Sequence, residues 1–104
     1  MSAPFTKQKI VRHTRLMRSA VSKLEEHHTI MALTVPEYRA AREVVQAAVE
    51  FVNEFISLHP KTKKLPRVFE WFGARYRLEY SVLGRVHVGI AGSKARFSSG
   101  VFSI

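Results

Sequence analysis

The chain has no cysteine and no aspartate among its 104 residues. Without cysteine there are no disulfides and no thiolate metal ligands. Without aspartate, the paired carboxylates that usually hold two metal ions for phosphoryl chemistry are missing. No apolar run approaches the ~20 residues that span a bilayer, and the opening MSAPFTKQK lacks the apolar stretch of a secretory signal. There are no internal repeats and no low-complexity segments. These absences lead us to expect a cytoplasmic protein, and the length predicts a single domain, 1–104, with one modest core.

Positive charge is what the sequence has in excess. Seventeen Lys and Arg face eight Glu, for a net charge of +9 and a pI near 10.5. The excess is uneven: residues 1–33 carry +4, residues 34–60 carry −2 and residues 61–104 carry +7. A balance this basic favours polyanionic partners: nucleic acid, acidic protein surfaces or anionic membranes. The middle segment is the one least suited to meet an anion.

Residues 5–30 predict a first helix. Ile10, His13, Met17, Ala20, Val21, Leu24 and Met31 fall on one stripe at 100° per residue, and Lys7, Gln8, Arg12, Arg15, Arg18, Ser19, Ser22 and Lys23 lie opposite. The first acid is Glu25, so the cations before it have no acidic partner within the helix. Residues 34–58 predict a second helix. Thr34-Val35-Pro36-Glu37 is a capping-box pattern with proline in the first turn, and His59-Pro60 stops it. Its apolar side, which includes Tyr38, Val44, Val45, Phe51, Val52, Phe55, Ile56 and Leu58, is wider than one neighbour requires. That width predicts contact with both the first helix and a sheet, or with a second subunit.

Residues 67–104 predict an antiparallel sheet and tail. A two-residue loop at Gly73-Ala74, with Gly first as a type II′ turn prefers, pairs Phe72 with Arg75, Trp71 with Tyr76 and Glu70 with Arg77. A three-residue loop at Val82-Leu83-Gly84 pairs Tyr80 with Val86, Glu79 with His87 and Leu78 with Val88. Both registers place Phe69, Trp71, Tyr76, Leu78, Tyr80, Val86, Val88 and Ile90 on one face. The expected fold is therefore α+β: two N-terminal helices packed on one face of a C-terminal β-meander of three to four strands. The tail AGSKARFSSGVFSI either closes a last hairpin at SSG or adds a single edge strand.

No catalytic constellation emerges. None of the five histidines pairs with another at helical i,i+4 spacing, so a helix-borne two-His metal site is missing. The serines lack a His with an orienting acid, and no G-x-S-x-G elbow exists. The G-x-x-G string at Gly89–Gly92 ends a strand, outside the helix-flanked setting such a nucleic-acid loop needs. AGSK lacks P-loop spacing. We expect neither an enzyme nor a cofactor or metal.

Basic surfaces remain as candidates. A small protein that binds DNA or RNA through phosphates, with low sequence specificity, would use Lys7, Arg12, Arg15 and Arg18 on the first helix. Lys61, Lys63 and Lys64 in the connector, Arg75 on the sheet, and Lys94 and Arg96 in the tail would add to them. In this reading Phe97 either stacks on a base or anchors the tail. The rival expectation is a protein–protein module docking on an acidic surface, an assembly subunit or a homo-oligomer. Its interface would be the outer sheet face: Val68, Phe72, Arg75 and Arg85.

Overall fold

In the computed structural model the described residues are 6–81, 84–90, 92–98 and 101–103, with the backbone alone for Ser98 and for 101–103. The expected helix start at residue 5, Val82 and Leu83 of the expected loop, and Ser99 and Gly100 of the tail turn lie outside them.

Helix α1 spans Lys7–His27. Thr6 caps it, its hydroxyl accepting from the Lys9 N–H at 3.1 Å. The helix ends where His28 turns left-handed (φ 57°) and donates its N–H to the Leu24 carbonyl. This termination precedes the expected one. Met31, expected on the buried stripe, lies in a short 3₁₀ turn, Ile30–Ala32, and is 89% exposed. Helix α2 spans Val35–Leu58, with the capping box of Thr34 and Glu37 formed and His59 closing its end. Its buried positions (37, 40, 41, 44, 45, 48 and 52) recur at three- and four-residue steps.

Five antiparallel strands follow in sequence order: β1 Val68–Trp71, β2 Ala74–Tyr80, β3 Val86–Ile90, β4 Arg96–Ser98 and β5 Val101–Ser103. The meander β1–β4 carries the described core side chains, and β5 continues it at the edge. The tail thus closes a last hairpin rather than adding a single strand. The β2–β3 register is the expected one, with Tyr80 opposite Val86, Glu79 opposite His87 and Leu78 opposite Val88. Gly84 sits at φ +78° and donates to the Ser81 carbonyl.

The first hairpin differs. Its two turn residues are Phe72 (φ 52°) and Gly73 (φ 74°), with Trp71 opposite Ala74. Two positive φ values make a type I′ turn, whose twist matches that of the strands. The register is displaced by two residues from expectation. A shift of two keeps every side chain on its face, so the apolar face survives but the charged pairs change. Glu70 is opposite Arg75, and Arg77 is opposite Val68 and Gly89.

The helices cover the apolar face of the sheet. Met17, Leu24, Val44, Val45, Val52, Phe69, Tyr76, Leu78, Val88 and Phe97 form the centre of the core. The rings of Phe51 and Phe69 meet 5.4 Å apart where α2 crosses β1. Phe97 is fully buried (0% exposed), so it anchors β4 and is closed to stacking on a base. Replacing it with alanine removes the largest fully buried side chain among the described residues. Phe97→Ala should cost about 3–5 kcal/mol, read as a lowered urea midpoint.

A polar contact fixes how the helices meet. Glu37 is 3% exposed, yet its carboxylate receives four donors. Oε1 accepts from Lys23 Nζ at 2.7 Å, the Thr34 N–H at 2.8 Å and the Thr34 hydroxyl at 2.7 Å; Oε2 accepts from the Ser19 hydroxyl. Burial alone would raise its pKa, but these donors outweigh it and hold the group at about 2. Because the folded value lies below the ordinary carboxylate value of 4.5, its contribution is complete above that value and is lost as pH falls towards 2. Lys23 keeps a third of its side chain in water, which trims the contribution to about 2–3 kcal/mol. Glu37→Gln should lose about that much stability at pH 7. It should also flatten the decline in unfolding free energy between pH 4.5 and pH 2 that the parent protein shows in urea titrations.

Candidate nucleic-acid interface

The outward side of α1 is set by the buried side. His13, Met17, Ala20 and Leu24 face the core, which leaves Lys7, Arg12, Arg15 and Arg18 exposed on the far side. Among the described residues no carboxylate lies within 4 Å of any of these four cations. Lys7, Arg12 and Arg15 surround a shallow hollow with Gln8 and the half-exposed Val11. Lys23, on the same side in sequence, is withdrawn from the face by its ion pair with Glu37.

Arg18 leads to a second feature. It lines a groove of about 520 Å³ between α1 and β2, floored by Met17, Val21, Tyr76 and Ile90. Arg75 lines the same groove. The expected register sets Arg75 opposite Phe72; the displaced register instead places it 3.0 Å from Glu70. Both partners are exposed, 74% and 66%, so the pair is weak and open to competition by an anion.

The outer sheet face is more neutral than its sequence suggests. Arg77 lies over Gly89, where a Cβ would meet its guanidinium at 3.0 Å. Glu79 stands beside it, and Arg96 approaches Glu79 at 3.3 Å. That approach is close enough for an ion pair, but it is not aligned as a hydrogen bond. Arg96, expected in the tail, is therefore held on β4 beside a carboxylate. Lys94 is exposed in the β3–β4 loop, which is tied to α1 by the Ser93 hydroxyl donating to Glu25 at 2.7 Å. Arg85 is exposed at the β2–β3 loop, and Val68 is 47% exposed on β1.

Phe72 departs most from expectation. It was placed outward beside the arginines. Its left-handed backbone instead turns the ring onto His13, stacked at 4.8 Å with the planes 18° apart. Trp71 meets the same imidazole edge-on at 4.8 Å. Val68, Phe72, Arg75 and Arg85 thus do not form one outer patch. Lys61, Lys63 and Lys64 are exposed in the α2–β1 connector.

Beyond Phe72 lies a cleft that sequence reasoning missed. Lys9, Arg12, His13 and Leu16 of α1, Val35, Pro36, Arg39, Ala40 and Glu43 of α2, and Phe72 line it. His13 is 7% exposed, and neither ring nitrogen has a hydrogen-bond partner. Burial lowers its pKa; Glu43 and the Ala40 backbone, whose contact falls short of a hydrogen bond, act the other way. Among the described residues no three His, Cys, Asp or Glu side chains gather to hold a metal ion. No helix there is long and apolar enough to cross a membrane.

Comparison with known proteins gives no relative: no family model matches the chain, and no curated protein or solved structure matches it significantly.

Proposed function

We propose that the protein binds nucleic acid through the exposed face of α1, with phosphates as the principal contacts and little sequence preference. The observation that carries this reading is the row Lys7, Arg12, Arg15 and Arg18: four exposed cations on one rigid helix, with no carboxylate within 4 Å among the described residues. Cations held on a helix at a fixed spacing are suited to follow a phosphate backbone. Arg18 continues towards Arg75 across the α1–β2 groove. A phosphate there can replace the exposed Glu70 as the partner of Arg75. Arg96 and Arg77 contribute less, because Glu79 is already beside them.

One observation favours a second reading, a partner protein docked on the end of α2. Ile56, Leu58 and the neighbouring Phe51 are 45%, 69% and 37% exposed. Self-association, or capture of a partner with an apolar surface, through that end would leave the α1 face without a role.

The salt dependence of binding separates the two. With about five phosphate contacts, log Kd for duplex DNA should change with log salt with a slope of magnitude ~4–5. Fluorescence anisotropy with a short duplex and a short single-stranded RNA measures it. Absence of binding to either at ~50 mM salt would overturn the reading. In the triple variant R12E/R15E/R18E the salt slope should fall by about 3, with an unchanged circular-dichroism melt. Unchanged affinity in a folded triple variant would remove α1 from the interface.

A further inference from the structure

The cleft between the first halves of the two helices is distinct from the α1 face, although Arg12 borders both. Three cations line it: Lys9 and Arg12 from α1 and Arg39 from α2, against one carboxylate, Glu43. Its volume is about 230 Å³, below the roughly 300–1,000 Å³ of sites that take drug-sized ligands. It is walled on three sides, by α1, α2 and the Phe72 turn. A cleft of this size, bordered by three elements, suits a chain end better than a duplex backbone passing over the surface.

We propose that this cleft is a phosphomonoester site, and that the group it takes is the terminal phosphate of a nucleic-acid strand lying on the α1 face. A phosphomonoester carries close to two negative charges near pH 7, whereas a backbone diester carries one. Guanidinium groups arriving from two helices give such a dianion paired N–H donors from different directions. The second observation is His13. This imidazole forms part of the cleft wall, is more than nine-tenths buried, and has no partner at either ring nitrogen. A buried polar ring left in that state calls for a reason. Neither nitrogen opens onto the cleft, so a dianion there acts on the ring through its field alone, favouring the protonated form across the wall. With the cleft empty, burial opposes that protonation and Glu43 favours it; Lys9, Arg12 and Arg39 are the cations lining the cleft. Trp71 and Phe72, packed on the ring from the sheet side, carry no charge. The identity of the ligand rests on the nucleic-acid reading above, while the chemistry of the site does not.

The experiment uses the whole chain and two probes. The first is inorganic phosphate, titrated by NMR at constant ionic strength against chloride. It should perturb the side-chain N–H signals of Arg12 and Arg39 and raise the titration midpoint of His13. The second is a pair of otherwise identical single-stranded oligonucleotides, one ending in a 5′-phosphate and one in a 5′-hydroxyl. The phosphorylated strand should bind about tenfold more tightly, which corresponds to about 1.4 kcal/mol. Arg39→Gln, at an exposed position off the α1 face, should abolish that difference and the phosphate perturbations while leaving the hydroxyl-ended strand within about twofold. If phosphate perturbs the cleft but the two strands bind equally, the site takes a free phosphomonoester and the strand-end assignment is overturned. If phosphate has no more effect than chloride, the phosphomonoester site itself is overturned, even where both strands bind. Failure of both strands to bind defeats the nucleic-acid reading, and the phosphate titration alone then decides the cleft.

Discussion

The carboxylate of Glu37 is the contact on which the arrangement of the helices depends. It serves two structures at once. Locally it completes the cap of α2 by accepting from the Thr34 backbone. Across the helix interface it accepts from Ser19 and Lys23 of α1. A capping glutamate on a surface helix normally faces water. Here it is buried, so its desolvation is tolerable only while donors surround it. The apolar residues of α1 and α2 can pack in more than one rotation. A buried charge with four assigned donors accepts far fewer, and it brings residues 19 and 23 of one helix against the first turn of the other. The rest of the architecture follows: Ala40, Ala41, Val44 and Val52 of α2 enter the shared core, and Phe51 meets Phe69 of the sheet.

Much of the fold was legible because local signals agreed with one another. Thr34, Pro36 and Glu37 marked the start of α2, and His59-Pro60 marked its end, within a residue of the observed bounds. The β2–β3 register followed from Gly84 and from the demand that Leu78, Tyr80, Val86 and Val88 share a face. The first hairpin was harder. Gly73 was read as the first central residue of a II′ turn, but it is the second of a I′ turn, with Phe72 before it in a left-handed conformation that bulky residues rarely adopt. Face alternation cannot detect that error, since a displacement of two residues preserves it. What changed was the pairing of charges: Arg75 gained Glu70, and Arg77 moved over Gly89.

The candidate surface was legible in part for a similar reason. The cations of α1 follow from helical periodicity alone, and the structure leaves them where the period puts them. The cleft does not follow from any local pattern. Arg39 belongs to a segment whose net charge is negative, and that sum concealed it. One of the acids in the sum, Glu37, is buried and already partnered, so it does nothing to neutralise the surface. The convergence of Arg12 with Arg39 depends on how the helices cross, which depends on the Glu37 contact. The partnerless state of His13 is likewise a tertiary fact. Its position on the apolar stripe indicated burial, but not which rings would cover it.

The two sides of α1 have separate duties, and this has a consequence for how the sequence can vary. His13, Met17, Ala20 and Leu24 are bound into the interior, while Lys7, Arg12, Arg15 and Arg18 hold no other described part of the chain in place. Substitutions on the outer side therefore meet almost no resistance from folding. The inner side can drift only within the narrow volumes of a packed core. Such a helix can alter what it touches, or how tightly, over many generations of single substitutions without passing through an unfolded intermediate sequence.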